Sequence, residues 1–204
     1  MSAVPVVVRP IVRTANLGRD MVRERAAGHA PSTLRALATG VLCMLLLAAC
    51  AKSSAPKGSS GSTKALLTAG LHAQANGELA RASTDYLSVL TKEPHNTLAW
   101  YNLALIAGQT HDYAGAMRDY RKAIDSNARY VPALYNLAIL ETPGNPRLAS
   151  QLYQRCITID PHDADAYLNL GFVERTLGKA QQGRADIAKA VALDPSLNPA
   201  APKG

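Results

Sequence analysis

Trp100-Tyr101-Asn102-Leu103-Ala104 is followed by Ala107, Tyr113, Ala116, Tyr120 and Ala123, and Tyr167-Leu168-Asn169-Leu170-Gly171 is followed by Gly178, Gly183, Ile187, Ala190 and Pro195. Aligned on Pro94, Pro161 and Pro195, the chain from Thr63 to Leu197 divides into four units, 63–96, 97–130, 131–163 and 164–197, of 34, 34, 33 and 34 residues. Each unit holds two stretches of about 12–14 residues with hydrophobics at i, i+3, i+4 and i+7, the period of an amphipathic helix. Small residues recur where the two helices would cross. They are Gly70, Ala104, Ala138 and Gly171 on the first helices, and Ala82, Ala116, Ala149 and Gly183 on the second. Backbones approach closely only where side chains are missing. One hairpin cannot bury its apolar face alone, so neighbours stack. The expected fold is all-α, a right-handed α-solenoid of about four helix-turn-helix units.

The same positions resemble the tetratricopeptide repeat (TPR) family, whose signature is an aromatic, Leu-Gly, a later Ala, an aromatic, another Ala and Pro. The resemblance covers about two thirds of the chain. Two places depart from it. Ala128 stands where Pro is expected, which predicts a looser turn. Unit three loses one residue, and its inner turn reads Thr142-Pro143-Gly144-Asn145-Pro146. There Pro143 ends the first helix, and Asn145 caps the second with Pro146 at its first position. Pro195, Pro199 and Pro202 forbid a further helix after the last unit, and 198–204 reads as a disordered tail. The last helix carries Gln181, Gln182, Arg184, Asp186 and Lys189 and either caps itself or packs its Ala-rich surface on another subunit.

The head of the chain reads as an address. Residues 1–49 carry six Arg and two acids, while 51–204 carry 16 Lys plus Arg against 13 acids. The mixed signs of the latter argue against a nucleic-acid footprint. From Ala36 to Ala51 run 16 uncharged residues behind Arg23, Arg25 and Arg35. This is the form of a secretory signal and is short of the roughly 20 apolar residues of a membrane span. Leu47-Ala48-Ala49-Cys50 resembles the lipobox of bacterial lipoproteins, which implies cleavage before Cys50 and acylation of its thiol. Residues 1–49 are thus an expected lipoprotein signal peptide, with Met21 the expected start and 1–20 an annotation artefact. Two or three acyl chains make anchoring stable without a span. Ala51 replaces the Asp that, in that family, retains a lipoprotein at the inner membrane. The resemblance places this chain on the extracytoplasmic side, at the outer membrane if the organism has one. The Gly/Ser-rich stretch 52–62 is a flexible tether reaching about 17–20 Å. Cys156 reads as a core residue, and three cysteines make no disulfide framework.

In the TPR fold the first helices line the concave face. The residues expected there are Leu98, Tyr101, Asn102 and Leu105 in unit two, Tyr135, Asn136 and Ile139 in unit three, and Leu168, Asn169, Phe172 and Arg175 in unit four. Unit one adds Lys64, Leu67, Thr68, Leu71 and Gln74. The Asn102–Asn136–Asn169 row offers amides that pair with a peptide backbone, or that only meet solvent. Lys64 and Arg175 stand at opposite ends, which disfavours a carboxylate clamp. Nothing calls for a metal or a cofactor: the histidines match no ligand spacing, and no Gly-rich phosphate loop or Ser/Cys–His pattern appears. The expected function is a membrane-anchored scaffold, not an enzyme, that holds a protein or peptide in its groove. Small TPR lipoproteins of pilus and envelope assembly resemble it in architecture alone. The competing reading is an envelope lipoprotein that dimerises through the ends of the solenoid.

Overall fold

A computed structural model describes residues 61–198. The signal-like segment, Cys50, the tether up to residue 60 and the tail from 199 lie outside the described residues. Every regular element among the described residues is helical. In chain order they are α1 (Thr63–Ala75), α2 (Leu79–Lys92), α3 (Thr97–Gln109), α4 (Tyr113–Ser126), α5 (Val131–Glu141), α6 (Pro146–Ile159), α7 (Ala164–Thr176) and α8 (Ala180–Leu193), closed by a 3-10 turn, Pro195–Leu197. Each helix packs chiefly on its neighbours in sequence, so the pairs α1–α2, α3–α4, α5–α6 and α7–α8 follow one another as a solenoid.

Side chains set the helix starts. Ser62, Asn96, Asp112, Asn145 and Asp163 each accept from the backbone N–H three residues on. Each cap satisfies one of the donors a helix leaves unpaired at its start. In unit three, α5 stops at Glu141 and α6 starts at Pro146 under the Asn145 cap, as the Pro-Gly-Asn-Pro spelling requires. The turns inside the other three pairs each pass through one left-handed residue: Gly77 (φ 77°), His111 (φ 63°) and Gly178 (φ 80°). Glycine takes this conformation freely, whereas His111 meets a steric cost there. The shorter turn of unit three avoids it.

The turn at Ala128 departs from its expectation. Asn127 Oδ1 accepts from Arg129 N at 3.0 Å, and Arg155 reaches from α6 to donate to the Ala128 carbonyl at 2.9 Å. Asp160 and Asp194 make the same two-residue turn before His162 and Ser196. Asn127 and a clamping arginine therefore hold what proline holds elsewhere.

The core follows the repeat. Tyr86, Tyr120 and Tyr153 occupy one position of the second helices and are enclosed. Three residues further on, Val89, Ala123, Cys156 and Ala190 have no exposed surface at all. Cys156 is free and acts as a small apolar residue. The helix crossings are tightest in unit four. A Cβ on Gly171 would lie 2.6 Å from the Gly183 carbonyl oxygen, and one on Gly183 would strike the Gly171 carbonyl in return. In pair one the small residue instead admits a ring: a Cβ on Gly70 would lie 2.7 Å from Tyr86 Cε1.

Helix propensity alone favours Gly183→Ala by about 1 kcal/mol. The backbone collision opposes it and costs about 1–3 kcal/mol. The expected outcome is a lower urea midpoint with an unchanged slope; a raised midpoint would show that the crossing has room.

Candidate partner-binding face

The first helices α1, α3, α5 and α7 carry the residues singled out in the sequence. Of these, α3, α5 and α7 lie side by side, because hydrogen bonds join α5 to α3 and α7 to α5. Asn136 Nδ2 donates to the Tyr101 hydroxyl at 3.3 Å, and Asn169 Nδ2 donates to the Tyr135 hydroxyl at 2.6 Å. Burial pushes the Tyr101 phenol above its usual range, so the hydroxyl stays protonated. Tyr130 meets the Tyr101 ring edge-on at 5.2 Å, and Tyr153 meets Tyr135 edge-on at 5.6 Å. Aromatic pairs in this geometry add to the burial of their area.

This corrects the reading of the asparagine row. Asn102, Asn136 and Asn169 are 8%, 1% and 7% exposed, and their amide donors are committed inside the solenoid. The row links one unit to the next and does not stand open to a peptide. Asn102 makes no such link. The residue of unit one that corresponds to Tyr101 is Leu67, which offers no hydroxyl. Asn102 Nδ2 turns back to its own helix and donates to the Leu98 carbonyl at 2.7 Å.

The apolar residues of the face are also largely closed. Tyr101, Leu105, Tyr135, Leu168 and Phe172 are buried, Ile139 is half-buried, and Arg175 is exposed at the far end. Leu168 and Phe172 pack under Leu197 of the closing turn. Open apolar surface concentrates toward the first pair. Four large hydrophobics are exposed among the described residues, and Leu71 (47%) and Leu98 (38%) belong to this face. Pattern reading of the row missed two contacts: within unit two Lys122 Nζ sits 4.0 Å from the centre of the Trp100 ring, and between units two and three Arg121 of α4 pairs with Glu141 of α5. A cation over an indole and an acid at a helix interface leave no periodic mark.

Among the described residues no group of three or more His, Cys, Asp or Glu could hold a metal ion. No described helix is long and apolar enough to cross a membrane.

Two models of the tetratricopeptide repeat match the chain, at residues 67–132 and 152–185. The chain therefore carries TPR repeats. It is 35% identical over 74 residues to the photosystem I assembly protein Ycf3 of Synechococcus elongatus, which is 35% of this chain and 43% of that protein. It is 27% identical over 118 residues to the human protein O-mannosyl-transferase TMTC3, 55% of this chain and 13% of that protein. It is 28% identical over 135 residues to human tetratricopeptide repeat protein 6, 65% of this chain and 25% of that protein. The chain thus spans less than half the length of these curated relatives. The crystal structure of MamA superposes with a TM-score of 0.60 at 20% identity, over 66% of this chain and 80% of that one. At this identity the likeness is one of fold.

Asn136→Ala removes a buried donor that joins two units and is expected to cost about 1–3 kcal/mol. Asn102→Ala removes a bond within one helix and is expected to cost less than about 1 kcal/mol. Urea unfolding of the two variants decides the order, and the reverse order would contradict the linking role.

Proposed function

We propose that this chain of TPR repeats is a scaffold that docks a protein or peptide partner on its first-helix face, and that Cys50 anchors it by lipid to the outer side of a membrane. The docking half of this reading is carried by Leu71 and Leu98. They are large apolar side chains left open on a face where Tyr101, Leu105, Tyr135, Leu168 and Phe172 are buried. Exposed apolar side chains flanked by polar surface favour an apolar segment of a partner. The relatives agree in kind, since Ycf3 is by name an assembly protein. No catalytic step is assigned. The match to the O-mannosyl-transferase takes in 118 residues of that protein, and its activity stays with it.

The anchoring half rests on Leu47-Ala48-Ala49-Cys50 behind its basic and apolar segments. Two or more acyl chains on Cys50 hold a protein at a bilayer stably. The site is extracytoplasmic, and in a double-membrane cell it is the outer membrane, where envelope or pilus assembly supplies partners.

A second reading has its own observation. Helix α8 buries only Gly183 and Ala190, and Ala185 and Ala188 are exposed. A second copy of the chain would cover that end. Light scattering of residues 63–204 separates the readings: a dimer lost on placing a charge at Ala185 or Ala188 favours self-association, and a monomer favours the adaptor.

Crosslinking in the native cell followed by mass spectrometry identifies the partner. Leu71→Asp with Leu98→Asp is then expected to weaken its binding about tenfold or more with little change in thermal unfolding. Unchanged affinity would remove the docking site from this face. Separately, Cys50→Ser is expected to move the protein from the membrane pellet to the soluble fraction; a variant still found in the pellet would rule out the lipid anchor.

A further inference from the structure

The junctions between successive units are one interface used repeatedly. In the first, Tyr86, Val89 and Leu90 of α2 receive Ala99, Leu103 and Ile106 of α3, and all six are buried in one cluster. The three entering places hold Ala133, Leu137 and Leu140 in α5, and Ala166, Leu170 and Val173 in α7. A small residue, Leu four residues on and an aliphatic residue seven on form one stripe of a helix. The small residue lets the two helices close, and the two aliphatic side chains supply the buried area.

The ends of the stack differ at these places. Helix α1 carries Ala65, Ala69 and His72 there, so it offers no large aliphatic residue to a helix before it. Helix α8 keeps the receiving side, with Ile187, Ala190 and Val191 at the places of Tyr86, Val89 and Leu90. Helices α2, α4 and α6 each bury five residues, whereas α8 buries Gly183 and Ala190 and leaves Ile187 and Val191 half-buried. Leu197 of the closing turn packs with Ala190 and Leu168. It is the last residue of unit four, as Tyr130 is of unit two, and Tyr130 likewise packs on Tyr101, the counterpart of Leu168. The turn thus leads to Asn198, the place where a fifth first helix would begin. Asn198-Pro199-Ala200 runs in register with Val131-Pro132-Ala133, but Pro202 then falls at the place of Tyr135 and Gly204 at that of Leu137. Proline inside a helix costs about 3 kcal/mol or more, and glycine brings no side chain to the junction.

We propose that α8 is a docking site for a helix of another protein, which completes a fourth junction and carries a small residue, Leu four residues on and Ile, Leu or Val seven residues on. Continuity with the three internal junctions defines this occupant. The chain's own α1 lacks the pattern, so a second copy does not stack head to tail on this end. The site lies apart from Leu71 and Leu98 and holds whether or not the first-helix face binds a partner.

Nuclear magnetic resonance titration of the isotope-labelled full chain with two synthetic peptides tests the site. A peptide of residues 163–177, which carries Ala166, Leu170 and Val173, is expected to bind saturably, with the largest amide shifts in α8. A peptide of residues 62–76, which carries Ala65, Ala69 and His72, is expected to bind at least about tenfold more weakly, having lost two aliphatic side chains. Ala69→Leu with His72→Ile in that second peptide is expected to restore the affinity. Val191→Asp in the chain is expected to weaken the first peptide about tenfold. Absence of binding, equal affinity of the two unaltered peptides, or shifts centred on another helix would overturn the proposal, as would a dimer of the chain through α8 that excludes the first peptide. If Val191→Asp does not fold, the altered second peptide decides, because it leaves the chain untouched: a gain in affinity sustains the site and no gain overturns it.

Discussion

The structure depends on how closely the two helices of each pair can approach. A helix pair buries its apolar stripe only if the backbones cross without a side chain between them. Gly171 and Gly183 show the limit, where each residue's missing Cβ leaves room for the other's carbonyl. Pairs two and three meet the same demand with Ala104, Ala116, Ala138 and Ala149, all wholly enclosed. Once the crossing is that tight, large residues are driven one turn outward. Tyr120 and Tyr153 fill the space between successive pairs and join them in one continuous apolar cluster. Burial at roughly 25 cal/mol per Å² of apolar area then favours stacking over isolated hairpins.

The helix pairs were legible in the sequence because period and punctuation are local properties. Asn145-Pro146 dictates a helix start wherever it occurs, and Gly77 and Gly178 mark turns that other residues enter only at a cost. Burial of the Asn row was not legible. A 34-residue period says that Asn102, Asn136 and Asn169 line up, but not whether the next unit closes over them. The partner of Asn136 is a hydroxyl that arrives from Tyr101, 35 residues earlier. Compensation between units was equally hidden. The missing proline at 128 suggested a loose turn, and the guanidinium that holds it comes from Arg155.

Differences between copies carry more functional information than the consensus does. Glu141 and Glu174 occupy equivalent places, yet one pairs with Arg121 of the preceding unit and the other meets Lys179 of its own unit at 4.0 Å. Leu67 replaces the tyrosine of the middle units, so the first copy interrupts the polar seam that the later ones continue. Departures of this kind mark where a repetitive stack stops being uniform. The open apolar surface at Leu71 and Leu98 falls beside one of them.

The interrupted seam also orders mechanical strength along the stack. Tension applied at residue 61 enters through α1, whose pair borrows Ala99, Leu103 and Ile106, with Trp100 packed against them, from its neighbour to complete its own core cluster. The inner pairs are fastened by Tyr101–Asn136 and Tyr135–Asn169, and the first pair has no bond of that kind. A load applied at residue 61 is thus expected to peel the stack from its first hairpin, one hairpin at a time, with the three behind it spared while the first extends.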